Sequence, residues 1–108
     1  MALHPATARD LVDAVKAAPV AFVKWSASFC GPCKRIQPLY DTLAQTYAHE
    51  AVFLVVEADQ EEFEALAEAY HIAALPTFQV FVDRKLVTSF AGADPKTLEK
   101  KVREYIKN

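Results

Sequence analysis

The 108-residue chain has only two cysteines, two glycines, one methionine and one tryptophan. Two cysteines cannot build the multi-bridge framework of a small secreted scaffold. In a reducing compartment a close pair points instead to catalysis or metal binding. No apolar run approaches the ~20 residues needed to span a bilayer. The opening MALHPATARD has neither the basic nor the apolar segment of a secretory leader, so a soluble cytoplasmic protein is expected. The 12 basic and 14 acidic residues are scattered and sum to −2. Such a chain has no phosphate-neutralising patch, which excludes nucleic acid and anionic membranes as expected partners. Linkers, repeats and low-complexity tracts are also lacking, and with 53% hydrophobic residues residues 1–108 are expected to form one domain.

What is present alternates in period. Thr7 and Asp10 resemble a capping box, and Leu11, Val12 and Val15 follow at helical spacing up to Pro19. VAFVKWS reads as a buried strand, and Ile36, Tyr40, Leu43 and Tyr47 mark one face of a second helix. AVFLVVEAD is a second strand. EEFEALAEAYHI is an acidic helix with Phe63, Leu66 and Ala67 inward. PTFQVFV and KLVTSF are strands separated by Asp83 and Arg84, close enough for a hairpin although the usual glycine is missing. Asp94 as N-cap and Pro95 at the first helical position open a last helix with Leu98, Val102 and Ile106 on one face. This order predicts an α/β fold: a mixed sheet of parallel pairs joined by crossover helices, an antiparallel edge, and helices on both faces.

Both cysteines lie in CGPC, where the first strand gives way to the second helix. At a helix N-terminus the unpaired N–H groups and the positive end of the macrodipole favour a thiolate, and Cys30 takes that cap. Pro32 suits the first turn, Gly31 leaves the approach to Cys30 clear, and Cys33 falls on the same side. Such a pair supports a two-step exchange in which the Cys30 thiolate attacks a disulfide and Cys33 resolves the mixed disulfide. Zinc needs about four ligands, and His4, His49 and His71 show no paired spacing, so no metal is expected. Lys34 after the second cysteine excludes c-type haem attachment. An inert structural disulfide stays open as a reading, though so small a loop restricts the unfolded chain little.

WSASFCGPCKRIQP, VVEAD, ALPTF and FAGAD resemble, in order and separation, the active-site signature, third strand, proline loop and post-strand glycine of the thioredoxin family. The resemblance covers about residue 7 to the C-terminus. It implies the thioredoxin fold, a three-layer α/β/α arrangement with a central mixed sheet. It also implies an exposed nucleophile at Cys30, a buried resolving thiol at Cys33, and a redox-active disulfide between them. The Leu75–Pro76 bond would be cis, with the Leu75 backbone pairing with substrate as an added strand. Phe29, Gly31, Pro32, Ala73, Ala74, Gly92 and Ala93 would line a shallow groove around Cys30. The implied partners are protein disulfide substrates and a thioredoxin reductase or equivalent dithiol donor. No cofactor is implied, and a monomer is expected because a disulfide-linked dimer would consume an active-site thiol.

The chain departs from the family at four positions. Thioredoxins usually carry a buried aspartate, thought to assist proton movement at the buried cysteine, where this chain has Lys24. They usually have tryptophan at the positions of Ser26 and Phe29, and phenylalanine at that of Trp25. Three readings of Lys24 compete: a stem along the sheet with its amine in water, an ion pair with Glu57 on the neighbouring strand, and a modulating role toward Cys33. The resemblance makes a protein-disulfide reductase the first functional expectation. A thioredoxin-fold binding module with vestigial or regulatory cysteines is its rival.

Overall fold

The computed structural model describes residues 1–106. Helix α1 (Ala8–Ala17) leads to strand β1 (Val20–Ser26), helix α2 (Gly31–Thr46), strand β2 (Val52–Glu57) and helix α3 (Glu61–Ala69). Strand β3 (Thr77–Val82), strand β4 (Lys85–Ala91) and helix α4 (Pro95–Tyr105) complete the order. The expected helix starts are in place. Thr7 Oγ1 accepts from the Asp10 N–H at 3.0 Å. Asp94 accepts from the Lys96 N–H at 3.2 Å and from the Thr97 hydroxyl at 2.7 Å, closing the first turn behind Pro95.

The sheet runs β2-β1-β3-β4, and strand alternation divides its side chains into two cores. Phe22, Phe53, Val55, Phe78 and Val80 meet Ile36, Tyr40 and Leu43 of α2 and Leu98 and Val102 of α4. On the opposite face Val23, Trp25, Leu54, Val56 and Phe81 meet Leu11 and Val15 of α1 and Phe63 of α3. The three-layer α/β/α arrangement follows from those two apolar faces.

Among the described residues only one pair is parallel, β1 with β2, where parallel pairs in the plural were expected. Strand β3 lies antiparallel to β1. The physical reason is the short α3: its 9 residues rise about 13 Å, and residues 70–76 then return the chain to the end of the sheet it left. Thr77 therefore pairs with Trp25 at the end of β1 where Ser26 pairs with Glu57. The β3–β4 turn forms without glycine because Asp83 and Arg84 themselves take positive φ, 50° and 73°, as a type I′ turn requires. Leu3 adds a bridge outside the predicted strands: its N–H donates to Phe53 O at 2.8 Å and its carbonyl accepts from Val55 N–H at 2.9 Å, covering the outer edge of β2.

Candidate active site

Strand β1 carries the chain to Ser26, whose carbonyl accepts from the Ala58 N–H at 2.7 Å and so ties the end of β1 to the end of β2. A three-residue turn follows. The Ser28 hydroxyl donates to Asp59 Oδ2 at 2.7 Å, and this bond holds the Asp59 carboxyl below its usual range. Cys30 is the N-cap of α2, and its Sγ accepts from the Cys33 N–H at 3.2 Å. The sulfur thus takes one of the donors that a helix start leaves unpaired, as the cap argument requires.

Cys30 and Cys33 are joined as a disulfide with their Cα atoms 5.3 Å apart. Cys33 is 0% exposed and Cys30 is 8% exposed, so the pair meets solvent only through Cys30. That is less than the exposed sulfur expected: Ala27 and Leu75 pack against the pair and cover most of it.

The Leu75–Pro76 bond is cis. Leu75 lies against the disulfide, and Pro76, itself buried, accepts from the Gly92 N–H at 2.9 Å. Cys30, Cys33, Leu75, Pro76 and Gly92 are therefore brought together. Among the described residues, neither the N–H nor the carbonyl of Leu75 has a backbone partner. Gly31 is exposed, Pro32 half-buried, and Phe29 is 77% exposed beside the cap. The remaining groove candidates separate. Ala93 turns toward the α2/α4 core, and Ala73 and Ala74 line a depression against Leu86 and Phe90 of β4.

The two glycines have different reasons. Gly92 has φ +105°, a conformation that L side chains rarely adopt. A Cβ on Gly31 would meet nothing closer than an Arg35 nitrogen at 3.5 Å, an ordinary contact. The fold does not require glycine at 31.

Lys24 is 1% exposed, which corrects the reading of an amine in water. Its Nζ donates to the Cys33 carbonyl at 2.7 Å and to Gln37 Oε1. The ion-pair reading is corrected too. Lys24 pairs across the sheet with Val55, and Glu57 sits two residues further along β2, opposite Ser26, with no direct Lys24–Glu57 salt bridge among the described residues. Burial lowers the Lys24 pKa to about 8, while the Glu57 and Asp41 carboxylates pull in the opposite direction.

Gln37 was not anticipated, nor was Asp41, whose Oδ1 accepts from Gln37 Nε2 at 3.1 Å and from the Ala2 N–H at 3.2 Å. Their signal was available: Cys33, Gln37 and Asp41 recur every four residues along one helix face. Trp25 belongs to the other face. It is buried, with its indole N–H donating to Gln79 Oε1 at 2.7 Å, and it packs against Tyr70.

The family profile for thioredoxin matches residues 3–104. The chain belongs to the thioredoxin family. A thioredoxin H-type from Chlamydomonas reinhardtii is 40% identical over 83 residues, which is 77% of this chain and 72% of that protein. Thioredoxin from Callithrix jacchus is 36% identical over 84 residues, 78% of this chain and 77% of that one. The X-ray structure of Fasciola hepatica thioredoxin is similar with a TM-score of 0.83 at 34% identity, over 99% of this chain and 100% of the other. The solution structure of oxidised Plasmodium falciparum thioredoxin gives 0.89 at 27% identity, over 99% and 100%. Thioredoxin membership and the bonded Cys30–Cys33 pair give the chain a redox-active disulfide and the general role of a thiol–disulfide oxidoreductase.

Proposed function

We propose that this thioredoxin-family chain reduces protein disulfides, with Cys30 as the attacking thiolate and Cys33 as the resolving thiol. The observation that carries the assignment is the asymmetry of the pair. Cys30 alone keeps surface, and it caps α2, where the helix N-terminus favours thiolate. The unpaired Leu75 backbone beside the disulfide suits an extended substrate segment bound as an added strand. Exposed Gly31, which has no side chain, and half-buried Pro32 follow Cys30 on the helix, and exposed Phe29 offers an apolar contact at the rim.

In the first step Cys30 Sγ bonds to one substrate sulfur, and the other leaves as a thiolate. In the second, Cys33 Sγ attacks Cys30 Sγ, reforming the disulfide and expelling the second substrate thiolate. A thioredoxin reductase or equivalent dithiol donor returns the pair to the dithiol, and a reducing compartment such as the cytoplasm suits that cycle. With both cysteines in the pair, the unit acts as a monomer.

The test is trapping with Cys33→Ser. The variant is expected to accumulate mixed disulfides through Cys30 and to lose catalysis of insulin reduction by dithiothreitol. A wild-type protein without activity in that assay, indifferent to Cys33→Ser, would identify a binding module instead.

A further inference from the structure

We propose that Lys24 is a positioning residue for the second half of this exchange: its ammonium, fixed beneath the first turn of α2, favours Cys33 as a thiolate for attack on the mixed disulfide. The inference rests on the assignment of Cys33 as the resolving thiol. What supports it is a directional network running from half-buried Asp41 and Gln37 to buried Lys24. Asp41 only accepts, so Gln37 turns its amide nitrogen to Asp41 and its oxygen to Lys24. Lys24 then reaches the Cys33 carbonyl. Two of the three ammonium N–H groups are thereby used, and the third has no protein acceptor among the described residues. Lys24 and Cys33 line one shared depression under the active-site turn.

In the disulfide form no hydrogen bond joins the ammonium to Cys33 Sγ among the described residues, and that sulfur carries no charge. The attraction arises when the pair is reduced and Cys33 ionises. The charged groups around Lys24 set its state. Glu57 at the end of β2 and Asp41 on α2 favour the ammonium. Lys34 of α2 and His4 of the N-terminal segment line the same depression, and β3 sets Phe78 opposite Lys24. Against burial, this balance leaves the amine protonated below about pH 8 and neutral above it.

The step balances as follows. The proton lost by Cys33 goes to the substrate thiolate expelled first. The Cys33 Sγ–Cys30 Sγ bond forms while the bond from Cys30 to the substrate sulfur breaks. The electron pair leaves with that second thiolate, which takes a proton from water. The dithiol loses two electrons and the substrate disulfide gains two. A neighbouring cation lowers a thiol pKa by about one unit or more, which raises the neutral-pH thiolate fraction about tenfold. Lower basicity costs the nucleophile about a factor of three, so the net gain is about threefold.

Stopped-flow reaction of the reduced protein with one equivalent of a chromogenic aryl disulfide separates the steps. The first thiolate released reports Cys30 attack and the second reports resolution. For Lys24→Met, the second rate constant divided by the first should fall about threefold near pH 7 and rejoin wild type above about pH 9, with Lys24→Arg retaining most of the wild-type ratio. Equal ratios near pH 7, a loss that persists undiminished at high pH, or a loss that grows with pH would overturn the inference. Absence of any first release from wild type would instead remove the functional assignment beneath it. A second readout, which leaves Lys24 in place, is the NMR titration of its side chain in reduced wild type. Its amine should titrate higher than in Cys33→Ser, because the Cys33 charge is coupled to it. Superimposable curves would overturn the inference.

Discussion

Replacing Lys24 with methionine keeps the length of the stem and removes the amine, and the consequence for stability has a definite sign. The folded amine has a pKa of about 8, below its ordinary 10.5, because burial disfavours the ammonium. Between those values the unfolded chain binds more protons than the folded one, so rising pH stabilises the fold through this group. Below about pH 8 both states are protonated and the gain is absent. From pH 7 to pH 10 the gain is roughly 2–3 kcal/mol, at about 1.36 kcal/mol per pKa unit and with titration incomplete at pH 10. Urea unfolding of oxidised wild type and oxidised Lys24→Met at both pH values isolates the effect, since the other titrating groups cancel in the difference. The stability of wild type relative to the variant should rise by roughly 2–3 kcal/mol. A difference that stays constant with pH, or one that falls, would refute the argument that the amine is desolvated within the fold.

Two further substitutions test the packing around the site. The Tyr40 hydroxyl lies 3.1 and 2.9 Å from the carbonyls of Phe22 and Leu54 in the α2/α4 core, and burial holds its pKa well above the usual value. Tyr40→Phe should cost about 1–2 kcal/mol in urea unfolding. Gly92→Ala should cost about 2 kcal/mol because an alanine must take φ +105° there. Gly31→Ala should leave stability within about 0.5 kcal/mol and yet slow insulin reduction, since the added methyl meets only ordinary contact inside the protein and stands beside Cys30.

Most of this architecture was legible because local signals agreed with one another. Thr7, Asp94 and Pro95 marked helix starts, the apolar periods marked the two cores, and CGPC fell where a strand meets a helix. The direction of β3 was not legible from its residues. It depends on the length of α3 and the path of residues 70–76, and no period encodes either. The hairpin at Asp83 and Arg84 was legible from the strand spacing, but the way it closes without glycine was not, because residues that take positive φ at some cost leave no compositional mark.

At the site, the cysteines and Pro76 could be placed in advance, whereas the groove could not. Ala73, Ala74 and Ala93 fit any small-residue position, and only the three-dimensional path sends Ala93 to the core and the other two toward β4. Lys24 shows a different limit. Its place in an apolar run identified it as unusual, but its partners come from α2, 9 and 13 residues away. Strand alternation, which pointed to Glu57, cannot see a helix packed across that face.

The claim that Cys30 and Cys33 form a reducing pair is tested most directly by their equilibrium with a glutathione or dithiothreitol redox buffer at pH 7, with the thiols counted by mass after alkylation. The account predicts one two-electron transition, at a potential near the reducing end of the superfamily, about −270 mV. A potential near about −120 mV, typical of a strong dithiol oxidant, would contradict it, as would a disulfide that does not exchange.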